Sequence, residues 1–231
     1  TACLTGTAVD AVHVCTPLPS HARLVEEALR AGRHVLVEKP LAMTVAELDE
    51  VADAARSSGR VLLVGHNRRF APLSIAARAA LRDRGPVHVA IRVAAPELPS
   101  DHWLLDPRRG GGRLVGEGGH FVDLASMLCG DPGIARVERD VVDGGFALQL
   151  RFDDDSVAQV LYTTRADVRI PKERVEAHAG GVTVTIDDYR RGEATTDGRS
   201  RALEVRGKGH AEEVAAFLQA AATGQAPVPL E

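Results

Sequence analysis

Between residues 11 and 85 three short apolar runs alternate with three amphipathic patterns, and this restricts the fold more than any other feature of the 231 residues. "AVHVCT" (11–16), "HVLVE" (34–38) and "RVLLVGHN" (60–67) read as strands. "HARLVEEALRAG" (21–32), "TVAELDEVADAARSSG" (44–59) and "APLSIAARAALRDRG" (71–85) read as helices, the second opened by a Thr44…Glu47 capping box. Strands alternating with helices form βαβ units on a parallel sheet. Right-handed crossovers then bring Thr16, Glu38-Lys39 and His66-Asn67 to one carboxyl edge, where open α/β sheets bind ligands.

After Pro86 the pattern changes. "VHVAIRVAA" (87–95) alternates as a strand, 96–119 is irregular and glycine-rich, and "HFVDLASMLCG" (120–130) is helical. Alternating runs at 135–143, 146–152, 156–164, 172–179 and 182–187 follow, punctuated by Gly-Gly and Asp-Asp-Asp turns, and a helix over 210–224 closes the pattern. Hairpin-joined strands imply an antiparallel sheet half-covered by helices. The expected class is therefore α/β: a partial Rossmann half with a parallel sheet, then an α+β domain with an open, mostly antiparallel sheet. The expected domains are 1–86 and 87–231.

Composition excludes several functions. A net charge of −4 offers no basic surface to nucleic acid, and 3% aromatic residues leave little for base stacking. No apolar run approaches bilayer length, so no membrane partner is expected. Cys3, Cys15 and Cys129 are odd in number and widely spaced, which suits reduced thiols in a cytoplasmic protein. Only three lysines occur, Lys39, Lys172 and Lys208. In a chain that otherwise uses arginine, a lysine behind a buried strand stands out.

That lysine lies in Glu38-Lys39-Pro40. Proline ends the strand, and the ammonium before it would stand over the sheet edge, able to hydrogen-bond a substrate hydroxyl. Taken alone, the tripeptide also fits a solvated loop lysine. In "GGGRLVGEGGHFVD" (110–123) six glycines permit close approach, His120 opens a helix, and Asp123 shares its face and could orient the imidazole. Glu117 lies three residues before His120. The set lacks further cysteine or histidine ligands nearby, so no metal is expected. Arg68 and Arg69 could clamp an anionic substrate group or form a solvated pair. Trp103 could wall a pocket or anchor its loop, and His21 reads as a packing histidine.

Taken in order, "VHVCTPLPSHARLVEEALRAGRHVLVEKPLA", "VGHNRRFAP" and "GGGRLVGEGGHFVDL" resemble the Gfo/Idh/MocA family of nicotinamide-dependent oxidoreductases. The resemblance covers nearly the whole chain. "LPSDHWLLDP", "IPKERVEAHAGG" and "RGKGHAEEVAAF" look closest to a subgroup sometimes fused to a zinc-type dehydrogenase module, which would be an N-terminal module of the same polypeptide. The resemblance implies NAD or NADP as cofactor and a sugar, cyclitol or sugar-nucleotide as substrate. It also implies a homo-oligomer formed through the antiparallel sheet. It makes Lys39 the residue that contacts the substrate hydroxyl and His120 the general acid/base, and it lines the nicotinamide with Thr16, Pro17, Glu38, Lys39 and Asn67. Many members carry an aspartate four residues before the histidine; this chain has Gly116 there, and Glu117 is the expected substitute. The family's strand–GxGxxG–helix opening is absent from the 231 residues. The expectation is a dehydrogenase in complete form whose present portion is inactive alone, the alternative being a non-catalytic truncated relative used for ligand binding or assembly.

Overall fold

The structure, a computed structural model, describes residues 9–228, so Cys3 lies outside the described residues. The chain divides into two compact units. One holds the chain up to His66, Asp101–Gly119 and the segment from Ala211; the other holds Asn67–Ser100 and His120–His210. This division is discontinuous, unlike the single break near residue 86 expected from the change of pattern.

In the first unit β1 (Ala11–Val14), β2 (His34–Glu38) and β3 (Leu62–Gly65) form a parallel sheet in the order β1-β2-β3. Val14, Val35, Val37 and Leu62 meet Val25, Ala28 and Leu29 of α1 (His21–Arg30) and Val51, Ala54 and Ala55 of α2 (Val45–Ser58). Leu36 and Leu63 alternate to the other face and are buried too, as parallel strands covered on both sides require. The α2 capping box forms as expected: Thr44 Oγ1 accepts from Glu47 N–H at 3.2 Å, and Glu47 Oε2 accepts from Thr44 N–H at 3.0 Å. Gly59, in the left-handed region at φ 61°, stops that helix. The closing helix α5 (His210–Thr223) belongs to this unit from Ala211.

The second unit is an eight-stranded sheet built from β4 (His88–Ala94), β5 (Ile134–Val142), β6 (Gly145–Phe152), β7 (Val157–Thr163), β8 (Glu173–Ala179), β9 (Val182–Asp187), β10 (Arg191–Thr196) and β11 (Arg199–Ala202). Their order is β11-β10-β9-β8-β4-β7-β6-β5; β4 and β7 are parallel and every other pair is antiparallel. The sheet is thus open and mostly antiparallel, as the turns implied. One face is buried. Phe121 of α4 (Gly119–Cys129) lies 6.3 Å from the Tyr162 ring, which stacks on Phe146 at 4.8 Å. The helix α3 (Pro72–Leu81) packs on β8, β9 and β10. There Leu73 sits so close to Gly192 that a Cβ at that glycine would be 2.4 Å from Leu73 Cδ2. Edge strand β5 is exposed along its whole length.

The hairpin β10–β11 was missed by the pattern reading. Its strands are polar and carry no apolar alternation; only the Asp197-Gly198 turn marks it, with φ values of 50° and 70°. Of the described thiols, Cys15 is exposed and Cys129 buried, and burial pushes the Cys129 thiol up to about 12, which keeps it protonated. Among the described residues no helix is long and apolar enough to cross a membrane.

Candidate active site

The carboxyl edge of the parallel sheet assembles much of what the sequence singled out. Strand β2 ends at Glu38, and a cis peptide joins Lys39 to Pro40. Lys39 Nζ donates to the carbonyl oxygen of Gly116 at 2.6 Å. Residues 114–118 form a π-helical turn rather than the loose glycine loop the composition suggested. Leu104 packs against this turn from the same unit: a Cβ at Gly116 would lie 2.4 Å from Leu104 Cδ1, and one at Gly110 2.3 Å from Leu104 Cα. Side chains are excluded there by the chain itself. Gly116, which stands where many members of the resembling family have aspartate, therefore serves Lys39 with its backbone carbonyl. The carbonyl orients the ammonium and adds no charge of its own.

Lys39 lines a pocket of about 450 Å³ in the first unit. His66 and Thr44 also reach it, and its remaining wall is largely aliphatic, from Leu41, Met43, Val45, Leu48, Val64 and Val115. The sequence pattern brings His66 to this edge but assigns it no role in a site. The available signal was register: Glu38 pairs with Gly65, so His66 follows β3 as Lys39 follows β2. The aliphatic wall lies in the "PLAMTVAEL" stretch, which reads as nothing more than a turn and a helix start. Trp103 is not part of this lining; it is partly exposed and packs beside the His102 ring at 5.6 Å.

The other expected residues of this unit are placed as follows. Thr16 and Pro17 are exposed after β1; Thr16 Oγ1 is 2.7 Å from Ser20 Oγ, which in turn donates to Pro17 O. Glu38 is half-exposed, with His13 Nε2 3.9 Å from its Oε1. Glu117 Oε2 accepts from Arg113 Nη1 at 2.8 Å, one helical turn away.

The second unit holds the rest. Asn67 Nδ2 donates to Lys208 O at 2.6 Å. Arg68 gives its fork to Glu173, Nε to Oε2 at 2.6 Å and Nη2 to Oε1 at 2.8 Å, and its Cζ lies over the Phe121 ring at 5.1 Å. Lys208 Nζ joins the same carboxylate at 3.0 Å. Burial alone would raise the Glu173 carboxyl, but Arg68 and Lys208 outweigh it and hold it below its ordinary value. Arg69 bonds Asp123 Oδ1 through Nε at 3.0 Å and Nη2 at 2.8 Å, and also both oxygens of Asp131. Both forks expected to clamp a substrate anion are thus engaged by the chain's own carboxylates. His120 is buried near the start of α4, its ring edge-on to Phe121 at 6.4 Å. Asp123, expected to orient that imidazole, bonds Arg69 instead through Oδ1.

Comparison with known proteins shows a likeness in both sequence and fold. Residues 2–66 match the model described as an oxidoreductase family with an NAD-binding Rossmann fold, GFO_IDH_MocA. The match covers 65 of the 231 residues, and over that segment the chain is similar to the Gfo/Idh/MocA oxidoreductases. Inositol 2-dehydrogenase of Rhizobium meliloti (strain 1021) is 29% identical over 195 residues, which cover 79% of this chain and 58% of that protein. The 1,5-anhydro-D-fructose reductase of Ensifer adhaerens is 35% identical over 164 residues, 65% of this chain and 49% of that one. The chain spans about half the length of these curated relatives. The whole fold matches the crystal structure of an aldose-aldose oxidoreductase from Caulobacter crescentus complexed with glycerol. The TM-score is 0.83 at 25% identity, covering 98% of this chain and 73% of the other.

The residues present fit one side of a nicotinamide dinucleotide. Lys39, backed by the aliphatic wall, offers a cation and an apolar surface suited to a ring and its ribose. The pyrophosphate of such a cofactor rests on backbone N–H groups at a helix start after a glycine-rich turn, and the 231 residues contain no GxGxxG sequence.

Proposed function

We propose that this chain is the substrate-side portion of an NAD(P)-dependent oxidoreductase acting on a hydroxyl or carbonyl of a sugar, cyclitol or sugar-nucleotide. The observation that carries the reading is the Lys39 ammonium, held by Gly116 O at 2.6 Å on the wall of a pocket at the carboxyl edge of the sheet. The bound nicotinamide supplies the hydride acceptor or donor. Lys39 binds the substrate oxygen and stabilises negative charge as the hydroxyl proton leaves. His120, four residues along the chain from Gly116, carries that proton, with Glu117 as its aid. Thr16, Pro17, Glu38 and Asn67 line the nicotinamide. Arg68 and Arg69 are left out of the substrate contacts because carboxylates of the chain occupy their forks.

The same reading includes a cytoplasmic location, fusion to an N-terminal module and self-association through the second sheet. For the last, β5 offers an exposed edge bearing Ile134, Val137, Val141 and Val142, and Leu161 is exposed on β7. A second reading is a non-catalytic ligand-binding or assembly domain, for which the exposed edge strand β5 speaks.

Turnover separates the two. In the active protein carrying this chain, Lys39→Met at saturating polyol should lower kcat by about 100-fold or more, the size expected for a positioned proton-transfer group. His120→Asn should remove the limb of the pH–rate profile near neutrality. Near-normal turnover in Lys39→Met, or no NAD(P)-dependent turnover by the unaltered protein across a polyol panel, would favour the binding domain.

A further inference from the structure

His21 opens α1 and is wholly shielded from solvent. Its ring spans two loops: Nδ1 lies 2.8 Å from Pro40 O and Nε2 2.8 Å from Thr16 O. The first loop follows β2 and carries Lys39; the second follows β1 and carries Thr16 and Pro17. The paired register of β1 with β2 ends at Val14 and Val37, so the sheet ladder does not tie these loops together. Nor can the prolines, since neither Pro17 nor Pro40 has an N–H to donate. Imidazole presents nitrogen on two sides of one rigid ring, so a single side chain from α1 reaches both carbonyls; the neutral ring donates to one of them at a time, and only the imidazolium donates to both. Simple packing would need only its shape; an apolar side chain of similar size would fill the space and leave the Pro40 and Thr16 carbonyl oxygens without these contacts.

We propose that His21 is the positioning residue of the Lys39 site. It pins the Lys39-Pro40 turn to the Thr16-Pro17 loop, and through that turn it fixes the ammonium within reach of Gly116 O. The proposal deepens the reading of Lys39 given above and rests on it for any effect on turnover. It is testable without turnover, on the environment of Lys39 itself.

The scarcity of lysine makes the test direct, because the chain holds only Lys39, Lys172 and Lys208. The 231-residue chain is labelled with trace acetic anhydride, and the extent at each lysine is read by peptide mass spectrometry, with Lys172 as internal reference. A hydrogen bond to a carbonyl favours the unreactive ammonium, so its loss raises labelling. In His21→Leu the Lys39:Lys172 ratio should rise roughly 5-fold, the order set by losing one such bond, while Lys208:Lys172 stays constant. In His21→Gln, whose amide can serve one of the two carbonyls, the rise should be smaller. An unchanged Lys39 ratio, with or without a lower melting temperature, would make His21 a packing residue and overturn the proposal. If His21→Leu does not fold, His21→Gln decides by the same criterion. Normal turnover in Lys39→Met together with a raised labelling ratio would remove the catalytic reading of Lys39 and leave the positioning intact.

Discussion

Two neighbouring strands of the first sheet each hand the chain on to basic residues, and the two ends are used differently. After β2 comes Lys39; three and four residues after the end of β3 come Arg68 and Arg69. The Lys39 ammonium meets a neutral backbone carbonyl and lines a pocket. The two guanidinium groups meet Glu173, Asp123 and Asp131 inside the second unit. A carboxylate neutralises its partner and locks it, whereas a carbonyl orients a cation without cancelling its charge. Of the three, Lys39 is the cation that lines a pocket, and the arginines, which look more chemical in the sequence, act as fasteners.

The strongest way to break this comparison is to remove the fastener. Glu173→Ala would leave the Arg68 guanidinium, buried and deprived of its carboxylate, beside the Lys208 ammonium. Breaking a buried pair from one side costs about 3–5 kcal/mol, and urea unfolding should show a loss of that size. A loss under about 1 kcal/mol would place the pair among surface bridges and undo the distinction. Acid should act in the same direction. The folded Glu173 carboxyl titrates below its ordinary 4.5, so its contribution is present above that pH and fades as pH falls through the folded value.

The opposite end should respond in the opposite way. Lys39→Met loses one hydrogen bond to Gly116 O but keeps most of the side-chain volume, so stability should fall by no more than about 1–1.5 kcal/mol. Urea unfolding of the same variant used for turnover checks this. A drop approaching that of Glu173→Ala would mean that Lys39 is itself a fastener.

What could be read in advance follows from range. The β1–β3 alternation, the Thr44 capping box and the Gly59 stop are local patterns, and each is present as expected. The Glu-Lys-Pro sequence marks its strand end for the same reason. The Arg68–Glu173 pair joins residues 105 apart, and no spacing rule links them. Nor could the glycine-rich stretch announce a π-helical turn, because two of its glycines, Gly110 and Gly116, answer to Leu104, from another part of the irregular segment. His21 was read from its helix alone, and its two partners are carbonyls, which every residue has.

His34 provides the smallest and finest test, since it is a titratable group held by a backbone N–H on one ring nitrogen and near Arg60 Nη1, at 3.4 Å, on the other. It starts β2, is buried, and its Nδ1 accepts the Val61 N–H at 3.1 Å. A proton added at Nδ1 would face that N–H and break the bond. Burial first, and the Arg60 charge second, lower its pKa from 6.5, with Asp10 opposing. Because the folded value is the lower one, the unfolded chain binds more protons in the interval between the two. Stability from this group is therefore complete above about pH 6.5 and is lost as pH falls from there through the folded value. The slope from one such group cannot exceed about 1.4 kcal/mol per pH unit. His34→Gln can keep an acceptor for Val61 N–H without titrating, so subtracting its urea-unfolding curve from that of the native chain should isolate the loss between pH 7 and 5. Parallel curves for the two proteins would mean that the Val61 bond tolerates the proton, and that His34 can change charge at no cost to the fold.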